Sequence, residues 1–200
     1  MTSALRQAPS RARIAPAEHL AADAGGELAD LERFVGYRPH ALATMARRPG
    51  LLGAVLQLVN TALRQDGHLP EALRYLLACE AARQAGCRYT ATHLAHAAHR
   101  VGVTWERIGL LASPADAPAC FDGAERALLA LARPLGTAQE KDAVWHAAGA
   151  HWSSDALAEA VGVIALAAWF SRWNTLVETE LEDEPASAID HVSWLGPAPL

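Results

Sequence analysis

Apolar residues recur at three- and four-residue steps from about Glu27 to the acidic stretch ending near Glu182, and no segment alternates with period two. That pattern predicts helices near 27–35, 40–47, 50–65, 70–85, 88–101, 104–112, 122–133, 139–151 and 154–180, and therefore an all-α protein. Proline and glycine mark the breaks, in "RPH", "RPG", "GHLP", the "AG" at residue 85 and "ASPADAPAC". Pro70 suits a first helical position, while Thr104 and Ser153 suit N-caps. Within 70–85, Leu73, Leu76, Leu77 and Glu80 share one face, so a carboxylate interrupts an apolar stripe. Either Glu80 reaches solvent or an arginine at the stripe's edge, or it is a buried acid with a proton-transfer role.

Two hundred residues suit one domain with a real core. The expected division is a flexible N-terminal arm over 1–26, a helical domain over 27–182 and a C-terminal tail over 183–200. The arm carries arginine without early acids but lacks the apolar core of a signal sequence, so it reads as an arm and not as a targeting segment. The most apolar run, "AVGVIALAAWF", is about half the roughly 20 residues of a membrane span and reads as a buried helix. A helix over 154–180 would extend about 40 Å. One small subunit cannot easily bury so long an apolar element, and packing against a second copy predicts a homo-oligomer. Trp145, Trp152, Trp169 and Trp173 read as core in preference to pocket walls.

Composition narrows the partners. A formal net charge of -5 leaves no basic stripe for nucleic acid. Three cysteines make no disulfide framework, which favours a reducing compartment and, by default, the cytoplasm.

The stretch "AGCRYTATHLAHAAHRVGV", residues 85 to 103, holds the densest chemistry. Gly86 ends one helix and Cys87 opens the next, where free N–H groups and the helix dipole favour an anion, so Cys87 is a candidate thiolate. Thr90 lies one turn on and His93 another, and the three can line one wall of a pocket, with Tyr89 in the same segment. A buried, inert Cys87 is the competing interpretation. His96 and His99 continue at three-residue steps that spread the histidines over about 120° of the helix, so no metal site is expected.

These residues, in "LPEALRYLLACEAARQAGCRYTATH", resemble the core segment of the carboxymuconolactone decarboxylase and alkyl hydroperoxidase D (AhpD) superfamily. "ERALLALARPLG" and "LAEAVGVIALAAWFSRWNTLVETELEDEP" extend the resemblance over most of residues 30 to 185. The resemblance implies an AhpD-like helical bundle, a trimer or hexamer, and a small-molecule substrate. The family's peroxidase branch uses a Cys-x-x-Cys pair, a glutamate twelve residues before it and a histidine about seven after its first cysteine. Cys87 keeps the first cysteine, Thr90 stands in place of the second, Tyr75 in place of the glutamate, and His93 sits one place early. Glu80 does not replace that glutamate, because it points about 140° from Tyr75 around the helix.

A hydroxyl cannot resolve a sulfenic acid, so the two-thiol peroxidase cycle is not expected. Cys79 and Cys120 lack the spacing to stand in. The leading expectation is a cofactor-free enzyme working by acid–base chemistry on His93, with Tyr75, Tyr89, Thr90 or Glu80 orienting substrate or relaying protons. Decarboxylation, ring opening and isomerisation all suit it. The alternatives are a one-cysteine hydroperoxide reductase built on Cys87, and a non-catalytic oligomeric binding protein whose pocket around residues 87 to 93 is sealed.

Overall fold

A computed structural model describes residues 12–17, 25–117 and 119–196. Among them every regular element is helical. The chain runs through α1 (Gly25–Val35), α2 (His40–Met45), α3 (Leu51–Val59), α4 (Glu71–Gln84), α5 (Arg88–Arg100), α6 (Trp105–Gly109), α7 (Gly123–Ala130), α8 (Ala138–Gly149), α9 (Ser154–Val177) and α10 (Asp183–Ala186). A π-helical turn, Asn60–Arg64, continues α3. The expected helices are all present, and most of the expected arm lies outside the described residues.

The caps explain the boundaries. Thr104 and Ser153 accept N–H bonds from Arg107 and Ala156, as read from the sequence. Pro70 stands one place earlier than expected, as the N-cap of α4. Asp122 and Thr137 close reciprocal capping boxes with Glu125 and Glu140. Gly86, at φ 66°, takes the left-handed conformation that stops α4. Its N–H bonds to the Arg83 carbonyl and the Cys87 N–H to that of Ala82, the paired bonds of a Schellman stop. Cys87 is thereby set as the N-cap of α5.

Helix α4 is the centre of the bundle. Residues Leu73 to Ala82 are all buried, against α5 on one side and α9 on another. Its two buried charges are both paired, as burial requires. Arg74 donates to the Gln65 carbonyl and lies 3.6 Å from Glu159. Glu80, with no exposed surface, accepts from Arg83 at 2.8 and 3.0 Å and from Gln84 at 2.8 Å. Of the two sequence readings of Glu80, the structure matches the pairing with arginine, although within the core and not at its edge.

Helix α9 is long and apolar enough to cross a membrane by length and composition, a criterion the shorter run "AVGVIALAAWF" did not meet. In this fold its buried face (Ala156, Ala160, Val163, Leu166, Ala167) packs into the bundle. Two of the tryptophans expected in the core are exposed instead, Trp145 by 44% and Trp169 by 38%. Trp152 and Trp173 are part-buried against the core.

After α9 the chain turns back across α5 and α6. Ala188, Val192 and Leu195 are buried, Trp194 donates to the Ile108 and Gly109 carbonyls, and Arg88 donates to that of Leu195. His99, Trp105 and His191 stack in a row at 4.0 and 5.1 Å. The strap starts at Glu182, and that fixes where the carboxylate goes.

Candidate active site

His93, on α5, is held at both ring nitrogens. Its Nε2 lies 2.7 Å from Glu182 Oε2 and its Nδ1 2.8 Å from the Tyr37 hydroxyl. The Tyr89 ring stacks on the imidazole at 4.1 Å, and the Tyr37 ring meets it edge-on at 5.3 Å. Glu182 is buried and also accepts at Oε1 from the Tyr89 hydroxyl (2.9 Å) and from the His40 backbone N–H. Burial alone would push its carboxyl pKa up; the hydrogen bond and charge of His93 and the His40 N–H outweigh it and hold the value below the ordinary one. Glu182 is therefore a carboxylate, able only to accept. It draws the Nε2–H of His93 toward itself and leaves Nδ1 as the basic nitrogen facing Tyr37.

The phenols stay protonated. Burial, reinforced by Glu182, raises Tyr37 and Tyr89 well above the ordinary phenol value, and burial does the same to Tyr75. His96 Nε2 donates to the Val35 carbonyl, 3.0 Å away, and burial lowers its pKa. His99 bonds to the Val103 carbonyl.

Beside this array lies a cavity of about 110 Å³. Its polar lining is Tyr37, Tyr75, Tyr89, Thr90, His93 and Asn174, and the remainder is aliphatic or aromatic, with Phe34 and Phe170 the bulkiest. Of the six residues singled out from the sequence, Tyr75, Tyr89, Thr90 and His93 meet here. Glu80 is held elsewhere by Arg83, and Cys87 sits behind Thr90 without lining the cavity.

Cys87 Sγ is 3.2 Å from Thr90 Oγ1, which receives the Asn174 amide N–H at 3.1 Å. Asn174 in turn accepts from Thr179 at 2.9 Å. With an amide donating into it, the Thr90 hydroxyl has its own proton free for the sulfur. Cys79 is fully buried, its thiol 3.6 Å from the Ala91 carbonyl, and burial together with Glu80 raises its pKa strongly. Cys120 is half-buried in the loop before α7. Among the described residues no cluster of three or more His, Cys, Asp or Glu side chains is placed to hold a metal.

Sequence reasoning missed Tyr37, Glu182, His40 and Asn174. Tyr37 and Glu182 are 56 and 89 positions from His93, so no local spacing joins them. The one available signal was the acidic-proline ending "ELEDEP", which marks where the strap begins.

Residues 49–134 match the sequence model of the carboxymuconolactone decarboxylase family. None of the curated proteins compared with the chain matches it in sequence. Among solved structures, the debrominase Bmp8 superposes with a TM-score of 0.76 at 24% identity, covering 90% of this chain and 97% of that one. Bmp8 has also been solved as a cysteine-to-alanine variant in complex with 2,3,4-tribromopyrrole. A peroxidase-related protein from Silicibacter sp. TM1040 superposes with a TM-score of 0.71 at 14% identity over 88% of this chain and 97% of that one. An alkylhydroperoxidase AhpD core protein from Ralstonia eutropha JMP134 does so at 0.67 and 18% over 83% and 88%. Residues 49–134 thus resemble the carboxymuconolactone decarboxylase family in sequence, and the chain as a whole has the all-helical fold of the AhpD-like proteins.

Proposed function

We propose that this protein is a small-molecule enzyme that moves protons through His93 in the cavity between α1, α4, α5 and α9. The observation that carries the reading is the double hydrogen bond of His93, to Tyr37 at 2.8 Å and to the Glu182 carboxylate at 2.7 Å, at the wall of an apolar cavity. A carboxylate behind an imidazole selects one tautomer and stabilises the imidazolium once a proton arrives. In a site walled by apolar groups that charge stabilisation is stronger than in water. His93 and Tyr37 are then the catalytic residues, and Glu182 and Tyr89 position them. Tyr75 and Thr90 shape the cavity. Glu80 has no part, since Arg83 and Gln84 occupy its oxygens. An accessible cavity beside Thr90 and His93 speaks against the non-catalytic alternative, which called for a sealed one.

The test is turnover of a panel of compact lactones and cyclic enols, followed by proton NMR. His93→Ala should abolish turnover while Cys87→Ser keeps most of it; the reverse pattern sinks the proposal. That reverse pattern would favour a one-cysteine reaction, a second reading that the Asn174–Thr90–Cys87 hydrogen-bond chain supports. There Cys87 takes the oxygen of a hydroperoxide and an alcohol leaves; one external thiol condenses with the sulfenic acid to a mixed disulfide with release of water, and a second thiol frees Cys87 as an external disulfide departs. Cys79 is a poor resolving partner because its buried thiol resists ionisation. Assembly into a homo-oligomer is proposed as well, supported by Val161, Trp169 and Leu176, which α9 leaves exposed.

A further inference from the structure

The hydrogen bonds around His93 have a direction. With His93 neutral, the Glu182 carboxylate accepts from Nε2–H, and Nδ1 can only accept, so the Tyr37 hydroxyl must donate to it. Each proton in the row points toward Glu182. The outer end, at the cavity wall, is the Tyr37 oxygen with lone pairs and no proton left to offer. A guest completes the row only by donating an O–H or N–H of its own.

Charge and size restrict the guest further. Among the described residues no Lys, Arg, Asp or Glu lines the cavity, so nothing there repays the desolvation of an ion. The closest buried charge is the Glu182 carboxylate behind His93, which repels an anion. Arg64 lies over the Phe34 ring, 5.2 Å from its centroid, and lines an adjoining cleft in company with Glu27 and Asp30, so it makes no isolated cationic mouth. A cavity of about 110 Å³ is of the order of the roughly 150 Å³ apolar cavity that accepts one benzene ring.

We infer that the substrate is a neutral, single-ring molecule bearing an acidic O–H or N–H, of the phenol, cyclic enol or azole class, and that it gives its proton to Tyr37. The inference rests on the proton-transfer reading of His93 and narrows it. The substrate X–H bond breaks and its proton goes to the Tyr37 oxygen. The Tyr37 proton passes to His93 Nδ1, and the imidazolium so formed is held by Glu182. The ring keeps the electron pair, and the same row run backward can return the proton to another ring atom. A proton moved between two atoms of one ring is an isomerisation, which is redox-neutral, and a carboxylate-bearing substrate is disfavoured.

Calorimetric titration of the full chain at pH 8.5 with phenol, anisole and benzoate tests this. Phenol should bind at least tenfold more tightly than anisole, which has the ring and no donor, and than benzoate, which has the ring and a charge. Tyr37→Phe should retain ring binding and bring phenol and anisole within about twofold. Ala167→Phe, which fills the cavity, should remove binding of phenol, and Ala97→Leu serves the same purpose if that variant does not fold. Equal or tighter binding of anisole or benzoate, no binding of phenol, or phenol binding that survives the filled cavity overturns the inference. These are binding measurements, so they separate from turnover. A retained phenol preference with an active His93→Ala protein would discard the catalytic reading and its proton relay, and leave the class of guest standing.

Discussion

Replacing Glu182 by glutamine changes one oxygen to an amide and reverses the row of hydrogen bonds at the site. Oε1 takes two donors, the Tyr89 hydroxyl and the His40 N–H, so the glutamine carbonyl settles there. Its NH2 group then faces His93 Nε2, which must accept, moving the ring proton to Nδ1 and turning it toward Tyr37. Tyr37 can no longer donate to His93, and the base is lost. A hydrogen bond to a charged group is worth about 1.5–3 kcal/mol, and at 1.36 kcal/mol per decade its loss should lower kcat by about 10- to 150-fold. Stability at pH 7 should fall by only about 1 kcal/mol, because every partner keeps a hydrogen bond. The pH dependence has a definite sign. Glu182 is depressed below its ordinary 4.5 in the folded protein, so it contributes stability above about pH 4.5 that is lost as pH falls through the lower folded value. Glu182→Gln should flatten that part of the acid unfolding curve. Nitrogen-15 NMR of histidine-labelled protein reads the tautomer directly: His93 should be Nε2–H in the parent and Nδ1–H in the variant at pH 8. An unchanged tautomer, or full activity despite the switch, would refute the assignment of Glu182 as the residue that orients His93.

Two further substitutions separate redox chemistry from structure. Thr90→Cys puts a thiol where a hydroxyl now sits 3.2 Å from Cys87 Sγ. A shift of about 1 Å reaches disulfide length, so peroxide-treated protein should lose 2 Da reversibly and gain dithiol-dependent peroxidase activity, which mass spectrometry and a coupled thiol assay would detect. Glu80→Ala strips the acceptor from Arg83 and Gln84 but leaves the cavity untouched. With Arg83 able to reach water, the cost is about 2–3 kcal/mol, a fall in Tm of roughly 4–12 °C for a domain of this size. Its kcat should match the parent, and a selective loss of kcat would return Glu80 to the reaction.

Helical periodicity, the glycine at 86 and the caps at Thr104 and Ser153 were enough to read the bundle and to place Cys87 at the head of α5, because each depends on residues within one or two turns of one another. The segment 75–93 disclosed four of the residues that meet at the cavity for the same reason: Tyr75, Tyr89, Thr90 and His93 lie on two consecutive helices joined by one tight turn. Glu80 is a residue whose place local pattern leaves open. Periodicity marked it as a carboxylate on an apolar stripe, and only packing revealed that the long side chain of Arg83 follows it into the core.

What the tertiary structure alone decided is the polarity of the site. Tyr37 comes from the turn before α2 and Glu182 from the chain after α9, and Glu182 reaches His93 from the start of the C-terminal strap, which is held by Trp194 and Arg88. A hydrogen bond between residues so far apart in the chain leaves no period, spacing or composition to read. Its partners are chosen by which apolar surfaces bury one another. The residue types present in the segment 85–103 thus limited the candidate chemistry to thiol and imidazole, and the fold set the imidazole between a carboxylate on one side and a phenol on the other.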